Sequence, residues 1–545
     1  MALRIASSRT LLLVAAASLS FHACSRKDTP LETVAVVSDP AQVRAGDEVV
    51  ATVEKGRVFG VLARRRGRVE IQVCVGTDLR RGSLLASDVK LLTDDDVDLE
   101  TEWLRTAREL NSQIDLDVCR ARLDALIERV AAAAADGKTL QEKAHRIGIQ
   151  LFEREKFSAH RRVAMPDRLL DRKQGNCFSL SLLYLLVGQR LGMPFRLADA
   201  PGHVFVRCDD AHDRFNIETT QQGSLHARDD YLREHLGAFR FSQIGGTHLV
   251  SQPAPRALGA LAYEAANELS RRGRHAEACA KYATAAEIGP EGAAGYYSWG
   301  CALEQMGQHS EACAMFARAV GINPRYADAY ANWGLALGQM GEHAEACAQF
   351  AKLAEIDPRI PQAYSNWGTA LAKMGKPAEA CRKFAQAIEI NPPYAEAYNK
   401  WGLALGQMGQ HAAACAKFAK AVEIRRQYAE AFANWGAALA ELGQHAEACE
   451  KLARAAAIDP KDARIVSRWA GVLCSAGDYP GACEKYAKAM EIDPRFAEAF
   501  LGHAVPLAHL GRKAEAIEKI EKAAELDPTL KPLARILRKM IEETE

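Results

Sequence analysis

The chain has 545 residues, 70 basic against 69 acidic side chains, and a formal net charge of +1. That length exceeds a single hydrophobic core and implies roughly three or four units, while the near-zero charge excludes capture of nucleic acid by a cationic field. Residues 1–24 read as an export signal: Arg4 and Arg9 precede the apolar run Leu11 to Phe21, too short to span a bilayer, which ends at Phe21-His22-Ala23-Cys24.

That ending resembles the lipobox of bacterial lipoproteins, in which such a cysteine is lipidated and becomes the first mature residue. The resemblance implies a lipid anchor on Cys24, contact with a membrane only through it, and a periplasmic or outer-membrane location. Phe21 and His22 depart from the leucine and small residue that the family prefers at those positions. From Gly46 to Leu92 the pattern alternates with period two, with turns expected at Lys55-Gly56, Arg66-Gly67 and Arg81-Gly82. Short strands so spaced make a small barrel, assigned to residues 31–92, and its closing "RRGSLLASDVKLL" resembles the last strands of bacterial SH3-like domains. Arg64, Arg65 and Arg66 fall at a hairpin tip and read as a solvated turn. The acidic stretch Thr93 to Glu100 opens a linker assigned to residues 93–114.

Residues 115–240 carry neither that alternation nor a repeat. Amphipathic helices come first, then Phe178 to Leu191, apolar on almost every side and therefore a helix buried at the centre of a domain. Cys177 stands at its N-terminus, where the helix dipole and free N–H groups favour a thiolate and can hold an oxyanion. The runs "HVFVRC" and "FNIE" flank an acidic turn and predict a hairpin. A four-residue loop from Asp209 to His212 pairs Cys208 with Asp213, Val206 with Phe215, Val204 with Ile217 and His203 with Glu218. Residues paired in this way have β-carbons about 4.5–5.5 Å apart. Thiol, imidazole and carboxylate in that order are the parts of an acyl-transfer triad. The competing reading makes Cys177 a helix-capping core residue and the whole chain a non-catalytic scaffold.

In these residues the chain resembles the transglutaminase-like superfamily, an α+β fold akin to papain. "LLDRKQGNCFSLSLLYLLVGQRLGMPF", "PGHVFVR" and "FNIETT" are similar to the branch named for the SirB1 protein. The resemblance implies Cys177 as nucleophile, His203 as general base and acid, and Glu218 as the group that orients the imidazole. The reaction implied is acyl transfer on a protein or peptide amide: proteolysis, deamidation or cross-linking. The superfamily usually has Asp at the position of Glu218, and many members of the branch have Pro at that of Cys177. No glycine-rich phosphate loop follows a strand and no His/Cys pair has zinc spacing, so neither cofactor nor metal is implied.

After a linker at 241–258, self-similarity takes over. Trp299, Trp333, Trp367, Trp401, Trp435 and Trp469 recur every 34 residues, as do Cys279, Cys313, Cys347, Cys381, Cys415, Cys449 and Cys483. That period, with Gly334, Gly341, Ala346, Phe350 and Pro358 in their places, is the signature of tetratricopeptide (TPR) repeats. Eight repeats fill residues 259–530 and a capping helix fills 531–545; the first repeat lacks the tryptophan, and the eighth has His503 in its place. Such helix pairs stack into an all-α superhelix whose inner groove binds protein or peptide partners. Asn332, Asn366, Asn399, Lys400 and Asn434 are expected to line it, the asparagines bonding to a peptide backbone. The recurring cysteines read as small core residues rather than a redox or disulfide system.

Overall fold

The structure, a computed structural model, describes residues 32–543 except 39, 56, 66, 94–95, 161–164, 201–202, 211–212, 227–250, 253 and 290–291. It comprises two compact units, one through Ala336 and one from Leu337. Cys24 and Arg66 lie outside the described residues. No helix among those described is long and apolar enough to cross a membrane.

The first unit opens with seven strands: β1 (Glu32–Val36), β2 (Ala41–Ala45), β3 (Glu48–Val53), β4 (Val58–Arg65), β5 (Arg68–Val75), β6 (Asp78–Leu85) and β7 (Val89–Leu92). They form one antiparallel sheet in the order β3-β2-β6-β5-β4-β1-β7. Val34, Val43, Phe59, Ile71, Val73 and Leu84 make its core. With β3 and β7 as its two edges, the sheet does not close into the predicted barrel among the described residues. Two strands before the alternating stretch, β1 and β2, account for the difference, since β1 inserts between β4 and β7. The turn expected at Arg81-Gly82 is instead the interior of β6, and the chain reverses at Gly76, with φ of 63°. Gly82 is required for another reason. A β-carbon there would meet Val43 Cγ1 at 2.4 Å, where β2 pairs with β6. The arginine tip is solvated as expected, with Arg64 paired to Glu32 at 2.7 Å.

The expected linker contains a helix, α1 (Leu99–Leu110), capped by Asp98 and burying Trp103 and Leu104. Of the acidic residues that suggested a solvated connection, Asp98 caps that helix and Glu100 sits in its favourable first turn. Then come α2 (Leu116–Ala134), α3 (Leu140–Gly148), α4 (Pro166–Arg172) and α5 (Cys177–Arg190). A two-residue parallel pair, β8 (Ser158–Ala159) with β9 (Gln174–Gly175), leads the chain into α5. A second sheet follows, in the order β13-β12-β11-β10-β14, from β10 (Phe195–Ala200), β11 (His203–Asp209), β12 (Arg214–Glu218), β13 (Ser224–His226) and β14 (Ser251–Gln252).

Eight helix pairs follow, from α6 (Ala254–Arg271) and α7 (His275–Ile288) in the first repeat to Ala497–His509 and Lys513–Leu526 in the eighth. A closing helix spans Lys531–Glu543. The repeat signature has direct packing causes. At Gly402 a β-carbon would meet the Phe418 ring at 2.5 Å, so the glycine and the aromatic are one fitted pair. The indole N–H groups of Trp299, Trp401 and Trp469 are buried without an oxygen or nitrogen partner among the described residues. The thiols of Cys279, Cys381 and Cys449 in the preceding repeats lie near them, and each indole acts to lower a thiol pKa that burial raises. The tryptophans of the second unit also carry a lysine on their faces, with Lys383 Nζ 3.5 Å and Lys417 Nζ 3.7 Å from the ring centroids of Trp367 and Trp401.

The first sheet docks on α7 through one buried carboxylate. Glu287, 2% exposed, accepts the backbone N–H of Cys74 at 2.7 Å and pairs with the Arg57 guanidinium. Burial there pushes the Cys74 thiol up to about 12. Glu287→Ala strands the Cys74 N–H and leaves Arg57 without its partner. It should cost about 2–4 kcal/mol in urea denaturation of the full chain, whereas Arg57→Ala, whose side chain is half exposed, should cost clearly less.

Candidate thiol active site

Helix α5 is buried on all sides from Phe178 to Gly188 because its sequence is apolar around the whole circumference. Asn176 caps it: its side-chain oxygen accepts the N–H of Ser179 at 2.9 Å. Gly175 is buried before it, and a β-carbon there would lie 2.6 Å from Ser179 Oγ and 2.7 Å from Leu169 Cδ1. Only glycine lets the chain pass here into the cap. Cys177 is the first residue of the helix, half-buried and not in a disulfide, as the sequence predicted. With Asn176 occupied by Ser179, the N–H groups of Cys177 and Phe178 belong to the helix's unpaired first turn.

Four residues further along α5, Ser181 is fully buried. Its hydroxyl donates to the carbonyl of Val204 at 3.3 Å and meets Thr219 Oγ1 at 2.9 Å. Val204 follows His203, and Thr219 follows Glu218. One side chain thus ties the starts of β11 and of the turn after β12 to the helix turn beneath Cys177. Tyr184, another turn along and also buried, donates to the carbonyl of Ala144 and so fixes α5 against α3.

The hairpin differs from expectation in register. Val206 pairs with Ile217, Arg207 with Asn216, Cys208 with Phe215 and Asp209 with Arg214, and the loop runs from residue 210 to 213. His203, opposite Ala200 on β10, is therefore not opposite Glu218. Continuing the ladder sets Phe205 against Glu218, two residues from His203. The slip is by two residues, so every side chain keeps its predicted face: Val206, Cys208, Phe215 and Ile217 pack into the core with α5. The cause is the acidic loop, since the residues around Asp209 and Asp213 allow a four-residue turn to be placed at either of two positions. The side chain of His203 lies outside the described residues. Glu218 is 2% exposed and its carboxylate accepts from Thr220 N at 3.0 Å and Thr220 Oγ1 at 2.6 Å.

One residue near the site comes from the solenoid and was missed in the sequence. Glu264 of α6 lies near the side chain of Asn176, next to Cys177, and Asn176 acts to lower the Glu264 pKa against its burial. The signal was available in the repeat phase: Glu264 occupies the position held by Ser298, Asn332, Asn366, Lys400 and Asn434 in later repeats. Burial raises its pKa from the ordinary 4.5 to about 7, with Arg271 acting in the opposite sense.

The groove residues are less free than predicted. Asn332 donates to Tyr297 Oη at 3.1 Å. Asn399 is 2% exposed and donates to Tyr428 and Glu430, while Asn434 donates to Asn399 Oδ1 at 3.1 Å and accepts from Arg468 at 3.2 Å. Those two amides bridge neighbouring repeats. Asn366 and Lys400 are half-buried, and burial lowers the Lys400 pKa. No cluster of three metal-ligating side chains occurs among the described residues.

Residues 117–251 match the family model described as the transglutaminase-like superfamily. Residues 297–428 and 469–530 match tetratricopeptide-repeat models. The chain therefore carries a transglutaminase-like domain and a protein-binding TPR module. Among solved structures it is similar to YrrB, a TPR protein with an unusual peptide-binding site, at 23% identity over 36% of this chain and 98% of that one, with a TM-score of 0.30. It is also similar to a TPR protein from Parabacteroides merdae, at 16% identity over 46% of this chain and 99% of that one, TM-score 0.39. A third is the Pseudomonas aeruginosa protein PilF, at 19% over 37% and 92%, TM-score 0.33. No curated protein sequence matches this chain.

The Glu264 carboxyl gives a signed pH dependence. Its folded pKa is raised, so between pH 4.5 and about 7 the folded chain keeps a proton that the unfolded chain releases, and stability falls as pH rises through that window. Glu264→Gln imitates the protonated state. Its melting temperature should match wild type at pH 5 and exceed it at pH 8, by the equivalent of roughly 1–3 kcal/mol.

Proposed function

We propose that this protein is a cysteine-dependent acyltransferase or hydrolase whose solenoid holds the protein or peptide substrate. The observation that carries the reading is the Ser181 hydroxyl, bonded to the neighbours of both His203 and Glu218 one turn beneath Cys177. In this reading His203 takes the Cys177 proton, and the sulfur adds to an amide carbonyl carbon. The carbonyl oxygen becomes an oxyanion held by first-turn N–H groups of α5. The C–N bond breaks as the imidazolium returns its proton to the departing amine, leaving a thioester. Water or a second amine then adds to the thioester, and the thiol leaves. Glu218 orients the imidazole. A ladder continued beyond Val206 and Ile217 would make His203 and Glu218 diagonal neighbours, about 7–8 Å apart along the sheet, a span suited to the longer side chain of Glu where related domains carry Asp. The N-terminal signal and the lipobox-like Cys24 support export and an envelope anchor for this activity.

A binding-only domain is the alternative, favoured by one observation: the Glu218 carboxylate already caps its own turn through Thr220. Two variants separate the readings. Cys177→Ala should abolish thioester formation with acyl probes and leave the melting temperature almost unchanged, because the residue is only half-buried. Glu218→Gln should slow acylation strongly, since the comparable loss in a serine protease is about 10⁴-fold, with folding retained. A wild-type chain whose Cys177 forms no thioester, and alkylates no faster than Cys279 or Cys313, whose thiols burial holds at about 11 and 12, would leave only the binding reading.

A further inference from the structure

The closing helix, Lys531–Glu543, covers the eighth repeat with one face. Ala534 and Ile541 are buried and Leu537 is half-buried, packed with Leu507, Ile520 and Ala523 of that repeat. Leu533, Ile536 and Met540 share the three- and four-residue spacing of that face, yet they stand 46%, 57% and 59% exposed. Ile536 and Met540 are the most exposed large apolar side chains among the described residues. At 3.6 residues per turn these three extend the buried stripe sideways, so the apolar arc is wider than the eighth repeat can cover. A solenoid normally ends on a helix whose outer face is polar, because that face meets water. Here the outer face is apolar along one side.

The charges of the helix lie beside that arc. Lys531, Arg535 and Lys539 recur every fourth residue and are all exposed, so they form one basic row along the helix. Arg538, by contrast, is taken up by Glu521 and Glu542 at 2.7 and 2.8 Å. The first turn holds no acidic residue and opens on Lys531, an arrangement that the helix dipole disfavours and an external anion at that end relieves. Three apolar side chains offer much less than the roughly 800 Å² per partner that a stable protein interface buries, which argues against a second copy or another folded protein as the occupant. A bilayer needs no matching pocket. The apolar row can enter the boundary of the acyl chains while the long basic side chains reach the phosphates. We propose that the closing helix is a membrane-surface element, which binds bilayers rich in anionic lipid through Leu533, Ile536 and Met540, with Lys531, Arg535 and Lys539 at the headgroups. It holds the C-terminal end of the solenoid at the bilayer. This contact is additional to any anchor on Cys24 and independent of the acyl-transfer reading.

The test reads Met540 in place on the full chain. Oxidation of its sulfur by hydrogen peroxide, followed by peptide mass spectrometry, is compared without vesicles, with vesicles of phosphatidylcholine, and with vesicles of equal parts phosphatidylcholine and phosphatidylglycerol. With the anionic vesicles at low salt Met540 should oxidise about threefold to tenfold more slowly, while Met374 and Met408, exposed on the fourth and fifth repeats, keep their rates. Because each methionine is read separately, membrane binding by residues 1–24 does not enter. High salt should abolish the protection by screening the charges. So should the combined variant Lys531→Gln, Arg535→Gln and Lys539→Gln, whose exposed positions leave the fold intact. Ile536→Ser should weaken the protection by shortening the apolar row. Equal rates with and without anionic vesicles, equal protection by both kinds of vesicle, or protection that survives in the combined variant overturns the proposal. Slower oxidation that needs no vesicle and grows with protein concentration assigns this face to self-association and overturns it as well.

Discussion

The first repeat of a solenoid has an apolar stripe with no preceding repeat to cover it, and the arrangement of the first unit follows from how that stripe is buried. Helix α1 packs on α6, Arg168 of α4 pairs with Glu268 of α6, and apolar residues from Leu99 to Ala336 form one continuous core. The polar rim is equally specific. Arg272 both pairs with Glu268 and donates to the carbonyl of Leu110 at 2.5 Å, and Lys281 pairs with Glu109 at 2.6 Å. A domain that could have been tethered by a flexible connection is instead packed against the first repeat.

Two buried carboxylates on this one repeat address two different neighbours. Glu287 takes the first sheet and Glu268 takes α4. Buried ion pairs contribute little net stability compared with an apolar replacement, because desolvation offsets most of the attraction. Their effect here is directional. Each carboxylate is satisfied by donors from one particular neighbour, so a rotated docking would leave it buried and unpaired. The same logic applies within the candidate site, where Ser181 would lose both partners if α5 shifted by a turn relative to β11 and the turn after β12.

Local pattern was a good guide where side-chain chemistry depends on neighbours a fixed distance away in sequence. The 34-residue period located all eight helix pairs, since pairs such as Gly402 and Phe418 fit within one repeat and turn glycines such as Gly341, with φ of 82°, reverse the chain between its two helices. The apolar run after Cys177 predicted α5 to within a residue, and the signal is strong because no face of that helix reaches water. Pattern misled where the partner is distant. Gly82 resembled a turn glycine, and only the crossing of β2 shows that it is there to admit Val43. Residues 99–110 resembled a linker because their acidic first turn masked an amphipathic helix. The hairpin register was set two residues away from its observed value because alternation determines faces and leaves pairing to the loop.

By itself the sequence determined the transglutaminase-like domain and the repeats, the helix carrying Cys177 and the strands carrying His203 and Glu218, because periodicity and composition are properties of contiguous residues. Only the tertiary structure decided which groups stand beside the cysteine. Ser181 was one serine in an apolar helix, Asn176 one residue before a cysteine, and Glu264 one position in a repeat. Ser181 finds its partners at the start of β11 and in the turn after β12, and Glu264 comes near Asn176 although almost ninety residues separate them, placements for which no local pattern carries a signal.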